Sequence, residues 1–303
     1  MTVPVCGDLP RPMYPESQFF MIALPSGAKQ ILYVTGMPRS GSTLLCQLLG
    51  IHPAVYSIGH SSPLASVLVQ CRTLLSDNHF LLGQLDVDFD LTYTRMINAY
   101  RGLMAGWFAE TALPVVVDKN RLWLALIETV KLLDPQFKML VCVRDPIAVY
   151  GSIEAQHRKT VLLDFQDHMA PHSAYDRARM LFAADGVVGG PLAAIQQLQD
   201  IPDPTLAEHL FYVRFEDLLQ APQASMAAIF AWAGLPAHSF DPQRLPVKPH
   251  ESDSYNRFKY RHTTFSQIRP PNVHQVSARI AEEIRNTHRW FYQSLYPELP
   301  VPD

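Results

Sequence analysis

Arg39 lies inside the string Gly36-Met37-Pro38-Arg39-Ser40-Gly41-Ser42-Thr43, and that setting defines the first chemistry open to this chain. A glycine-rich turn running into a helix points successive backbone N–H groups at a phosphate, and the helix dipole adds positive potential there. Gly36, Gly41 and Thr43 keep that frame, but Ser42 stands where nucleoside triphosphatases carry the lysine that reaches terminal phosphates. The cation is instead Arg39, earlier in the turn. Such a loop, with Arg39, Ser40, Gly41, Ser42 and Thr43 around one anion, suits a single terminal phosphate better than a triphosphate held with magnesium.

A second arginine ends a second apolar run. In FKMLVCVRDPIAVYGSI, residues 137–153, a buried strand stops at Arg144, Asp145 is placed to cap a helix, and Pro146 fits its first position. Arg144 thus faces a ligand crevice or pairs with Asp145 or Asp118, and Ser152 brings a hydroxyl to the same region. Asp118-Lys119-Asn120 follows the strand-like VVV. His60 sits in HPAVYSIGHSSPL, residues 52–64, and no acidic residue occurs between the loop and Asp77. A histidine titrating near neutrality serves as a base; the alternative is that His60 or Ser61 caps the next helix.

The elements needed to hold these groups are legible. Ile31–Val34 is a strand before the loop, and STLLCQLL, residues 42–49, is a helix closed by Gly50. Further strands are expected at 113–117, 138–143 and 210–213, with helices at 92–109, 121–134, 146–157, 222–233 and 273–294. Alternating short apolar strands and helices imply an α/β fold, a parallel sheet covered on both faces, with ligands at the carboxyl ends of its strands. Residues 1–29 read as an arm and hairpin strand, 30–303 as one domain, and 158–206 as a helical insertion covering the site. Its Phe165, Tyr175 and Phe182 either line an acceptor pocket or pack a small cap.

With 303 residues, 48% hydrophobic and 17% charged, the chain is long enough to bury a sizeable core. Its formal net charge of −3 gives no basic excess for nucleic acid or an anionic membrane. The basic aromatic stretch NRFKYRHTTF, residues 256–265, is too short to reverse that. No apolar run is long enough to span a membrane and the N-terminus lacks signal-peptide character, so a cytoplasmic protein is expected. The four cysteines lack metal-ligand spacing, and Pro171 interrupts the helix that would align His168 with His172, so no metal site is expected.

Together, PRSGST (38–43), VRDPIAVYGS (143–152) and YVRFEDL (212–218) resemble the sulfotransferase superfamily, particularly the branch that includes tyrosylprotein sulfotransferases. The resemblance implies a P-loop α/β/α fold and transfer of a sulfuryl group from 3′-phosphoadenosine 5′-phosphosulfate to a hydroxyl or phenol. It implies the first motif as the 5′-phosphosulfate loop, with Arg39 also assisting catalysis, and Arg144 and Ser152 as the 3′-phosphate site. Tyr212 and Arg214 then lie near the nucleotide, Lys119 near the sulfate bridge, and Lys259 or Arg261 in a late basic loop closing over it. The branch carries a glutamate base after the loop, where this chain has His60, with Asp118 as the other candidate. No metal requirement follows, because backbone donors, Arg39 and the helix dipole can stabilise the leaving phosphate. A P-loop kinase of a small substrate and a non-catalytic nucleotide-binding protein are the alternatives. Acceptor identity and oligomeric state are not encoded in any motif.

Overall fold

A computed structural model describes residues 29–163, 165, 167–247, 251–252, 261–262 and 264–299. Its elements are β1 (Gln30–Gly36), α1 (Ser42–Leu49), β2 (Val55–Tyr56), α2 (Leu64–Ser76), α3 (His79–Val87), α4 (Phe89–Trp107) and β3 (Val115–Lys119). A 3-10 turn (Arg121–Leu126) leads into α5 (Ile127–Leu133), β4 (Lys138–Val143), α6 (Pro146–Lys159), α7 (Ala174–Phe182), α8 (Gly189–Asp200) and α9 (Leu206–His209). Then follow β5 (Leu210–Arg214), α10 (Phe215–Gln220), α11 (Pro222–Trp232), the short pair β6 (Glu251–Ser252) and β7 (Arg261–His262), α12 (Ala278–Thr287) and α13 (Arg289–Leu295).

Five strands form one parallel sheet in the order β2-β3-β1-β4-β5. Because successive strand residues face opposite sides, the sheet divides the core in two. Ile31, Tyr33, Met139, Val141 and Val143 join the cluster of Trp123, α6, α12 and α13. Leu32, Val34, Leu140 and Cys142 join that of α1 and α11. Burial on both faces explains why these strands read as unbroken apolar runs. The central β1 has β3 on one side and β4 on the other, so the crevice for a ligand opens at its carboxyl end, where the loop 37–41 leaves.

The expected α/β sheet is present, and β4 and α1 have the expected bounds. Other expectations shift. The 121–134 helix begins as a 3-10 turn, started by Asn120, whose side chain accepts from Leu122 N–H at 2.9 Å. The stretch 273–294 is two helices. The first starts only at Ala278, capped by Ser277, and the chain leaves helical geometry at His288 (φ −112°, ψ 35°), whose ring packs against Phe182. Helices α2 and α3 were not anticipated; α3 buries no residue, so it leaves no apolar stripe to read. Segment 158–206 is largely helical and packs on α6 and the 3-10 turn. The hairpin expected before residue 29 lies outside the described residues.

The loop depends on Gly36, at φ 119°, where a Cβ would lie 2.1 Å from Cys142 O of β4. Gly36→Ala therefore combines about 1–3 kcal/mol of backbone strain with about 1–3 kcal/mol of overpacking. The expected result is a markedly lower urea midpoint; an unchanged midpoint contradicts this packing.

Candidate functional site

The turn 37–41 gets its shape from three positive φ angles, Gly36 at 119°, Arg39 at 59° and Gly41 at 85°. Two bonds secure it: Met37 N–H donates to Cys142 O at 2.9 Å, and the buried Ser40 hydroxyl donates to Met37 O at 2.6 Å. At Gly41 a Cβ would fall 2.5 Å from the Phe215 ring. Glycine thus serves twice here, once for conformation and once to admit an aromatic ring from the start of α10.

That ring carries Arg144. The guanidinium lies 4.5 Å from the Phe215 centroid, and Nη1 donates to Arg39 O at 3.0 Å. Arg144 is 7% exposed, its Nε is buried without a hydrogen-bond partner, and no carboxylate lies within ion-pair distance among the described residues. Burial holds its pKa below the ordinary arginine value, against the pull of Glu216, and nearby Arg39 adds to the depression. Asp145 is otherwise engaged: it caps α6 by accepting from Ile147 N–H at 3.0 Å and accepts from Tyr292 OH at 2.7 Å. Arg39 Nε donates to Ser152 Oγ at 3.2 Å, closing the loop onto α6.

These groups border a cavity of about 430 Å³, lined by Arg39, Gly41, Ser42, Thr43, Arg144 and Ser152 among others. Residues not singled out in the sequence complete it. Gln156 stands one helical turn after Ser152, a spacing that could have revealed it. Phe265, which ends the basic aromatic stretch read from the sequence, comes from the segment before α12, as do Arg269 and His274, which were not read. Gln47 on α1 holds this segment, donating to Phe265 O and Pro246 O, each at 2.8 Å. Arg269 stacks on Phe265 at 4.1 Å. Burial and the cations Arg144, Arg39 and Lys159 depress the His274 pKa. No local pattern announces these residues, because the chain fold alone brings them over the loop.

A second cavity, about 490 Å³, opens on the other side of Arg39 and Ser42, which line both. It is walled by Ser61, Ser62, Ser66, Lys119, Asn120 and Arg121, with Met37 and Pro38 of the loop. Segment 57–62 runs beside the end of β3, with Ser62 N–H donating to Lys119 O at 2.9 Å. Lys119 Nζ donates to Gly59 O at 2.7 Å and reaches Thr43 Oγ1 at 3.5 Å, tying this segment to α1. His60 follows Gly59 but is not among the residues lining this cavity, and Ser62, rather than His60 or Ser61, accepts from Leu64 N–H at 3.1 Å at the start of α2.

Asp118 faces the opposite side of β3 from Lys119. It is fully buried, accepts from Trp123 Nε1 at 2.7 Å and lines neither cavity. Burial pushes its carboxyl up to about 6, although hydrogen bonds from Ser62 and Trp123 oppose the rise. Tyr212 packs against the core and Arg214 turns away, paired with Glu298 and Asp217 and stacked 4.3 Å over Tyr296. Both are outside the two linings. Lys259 lies outside the described residues; Arg261 is described only as part of the β6–β7 pair. The described residues of 158–206 do not line either cavity.

Comparison with known proteins bears on the family and the fold. A family model described as "Sulfotransferase family" matches residues 32–239. No curated protein matches the chain. Among solved structures, a sulfotransferase from Alicyclobacillus acidocaldarius is 12% identical with a TM-score of 0.52, covering 89% of this chain and 95% of its own. A sulfotransferase domain from the curacin biosynthetic pathway is 18% identical, with TM-score 0.45 and coverage of 91% and 94%. One from the Synechococcus PCC 7002 olefin synthase is 19% identical, with TM-score 0.43 and coverage of 72% and 77%. At such identities the first likeness bears on the fold alone.

Asp118 sets a stability test. A carboxyl raised to about 6 in the folded state and ordinary when unfolded binds more protons when folded, so its contribution falls as pH rises from about 4 through 6. The loss is on the order of 2–3 kcal/mol at about 1.4 kcal/mol per pKa unit. Urea unfolding of Asp118→Asn from pH 4 to 7 should show a flatter decline than wild type; parallel curves would remove the assignment.

Proposed function

The chain belongs to the sulfotransferase family, and on that premise we propose that it moves a sulfuryl group from 3′-phosphoadenosine 5′-phosphosulfate to a hydroxyl or phenol acceptor. The observation carrying the donor assignment is Arg144, a guanidinium only 7% exposed that lines the loop-side cavity with no carboxylate within ion-pair distance among the described residues. Burying a cation without a counter-charge is costly. An anionic ligand on Arg144 offsets that cost.

In this reading the turn 37–41, with Ser42 and Thr43 at the start of α1, holds the 5′-phosphate, while Arg144 and Ser152 hold the 3′-phosphate. The donor supplies an activated sulfur, whose bond to the 5′-phosphate oxygen breaks as a bond to the acceptor oxygen forms. Arg39 lines both cavities and Lys119 reaches Thr43, so both can stabilise charge developing where the cavities meet. The acceptor enters the second cavity, with its oxygen positioned against the reacting centre. His60, next to Gly59 in the segment bordering the second cavity, is proposed as the base; Asp118, on the far face of β3, is the weaker choice.

Calorimetric titration with adenosine 3′,5′-bisphosphate, AMP and magnesium–ATP tests the assignment. Charged hydrogen bonds contribute about 1.5–3 kcal/mol, so Arg144→Ala should weaken the bisphosphate roughly 10- to 150-fold and leave AMP nearly unchanged. Equal losses for both ligands, or preference for magnesium–ATP in the wild type, contradict the donor site. Once an acceptor is in hand, His60→Gln should cut turnover by about 10²- to 10⁴-fold without changing bisphosphate affinity. Unchanged turnover removes His60 as base.

A further inference from the structure

Gln47 is the one polar side chain in the run Leu45–Leu49 of α1, and it is buried, 2% exposed. A primary amide carries two N–H donors. Both serve stretches far from the helix, since Nε2 donates to Phe265 O and to Pro246 O, each at 2.8 Å. Phe265 begins the segment 265–274, which supplies part of the loop-side cavity wall. Ser266, Gln267 and Arg269 to Val273 are exposed, so little core packing sets the place of this wall. Its backbone is tied at Ser266 O, which accepts from Leu245 N–H at 2.7 Å, and at Ile268 N–H, which donates to Pro242 O at 3.0 Å. Those bonds lead back to the stretch ending at Pro246, which Gln47 also holds. At the other end, His274 lies against Gly151 of α6, where a Cβ would fall 2.8 Å from that of His274. One amide thus sets the distance between the wall and the helix that begins at Ser42 and Thr43.

From Phe265 the contacts continue to a charge. The Arg269 guanidinium stacks 4.1 Å from the Phe265 centroid and lines the cavity together with Arg39 and Arg144. A shift of the Phe265 backbone therefore carries both the ring and the guanidinium with it, and hydrogen bonds weaken steeply as their geometry departs from the optimum. We propose that Gln47 is a positioning residue for the donor nucleotide, holding segment 265–274 where Arg269 meets a nucleotide seated on the turn 37–41. The proposal rests on the donor reading above. Gln47 acts through Phe265 and Arg269, and Arg144 acts from β4 without it.

The test measures affinity and release of adenosine 3′,5′-bisphosphate on the full chain for the wild type, Gln47→Met, Arg269→Ala and the double variant. Met has a similar length and no donor; Gln47→Asn, whose amide is one methylene too short, is the milder second variant should Gln47→Met not fold. Arg269→Ala should weaken the bisphosphate about tenfold or more in the wild-type background. In the Gln47→Met background it should weaken it by less than about threefold, because the guanidinium is already displaced. Gln47→Met itself should act mainly by speeding release. Gln47→Lys, whose ammonium can donate to both carbonyls, should restore the full Arg269 effect. Gln47→Met and Arg144→Ala should multiply within about threefold. A merely structural role for Gln47 leaves the Arg269 effect the same in every background. That result overturns the proposal, as does wild-type affinity in Gln47→Met or in Arg269→Ala. Either leaves the donor reading standing if Arg144→Ala still loses the bisphosphate, whereas a wild type that does not bind it overturns both.

Discussion

The site is organised around the buried Arg144 guanidinium. It touches the loop through Arg39 O, rests on Phe215 at the start of α10, and stands at the end of β4 beside the helix that carries Ser152. Three stretches far apart in the chain thus converge on one cation. The loop can approach Phe215 only because Gly41 has no side chain, and it can pass β4 only because Gly36 has none. Arg144 pays for this position with desolvation and an unpartnered Nε. A site optimised for stability alone would place a carboxylate there; Asp145, the nearest in sequence, instead caps α6 and accepts from Tyr292.

Arg39 is the counterpart of Arg144. It adopts a left-handed conformation that non-glycine residues seldom occupy, and its side chain bonds Ser152. It lies on both cavity walls, so one guanidinium borders the loop-side cavity and the second cavity alike. Lys119 reaches the same helix start from β3, so cations arrive from both flanking strands of β1.

Much of this was legible because it is local. Gly36, Gly41 and Thr43 announce the turn, Asp145-Pro146 announces the start of α6, and apolar runs mark buried parallel strands. What was hidden depends on contacts across the fold. Arg214 belongs to the same motif as Phe215, yet the chain at α13 draws it to Glu298 and Tyr296, leaving the ring to serve the site. Gln47 reads as one polar residue on an apolar helix; only the folded chain shows that it pins the backbone at Pro246 and Phe265. At the helix break, His288 likewise packs against Phe182, a contact far away in sequence. Asp118 and Lys119 are adjacent letters on opposite faces of β3, so strand alternation separates their roles.

The central claim is that one nucleotide spans the turn 37–41 and Arg144. The most direct measurement is a crystal structure of the protein with adenosine 3′,5′-bisphosphate. The account predicts the 5′-phosphate within the turn at the start of α1 and the 3′-phosphate against Arg144 and Ser152. A bound nucleotide with neither phosphate in hydrogen-bond reach of Arg144 contradicts it.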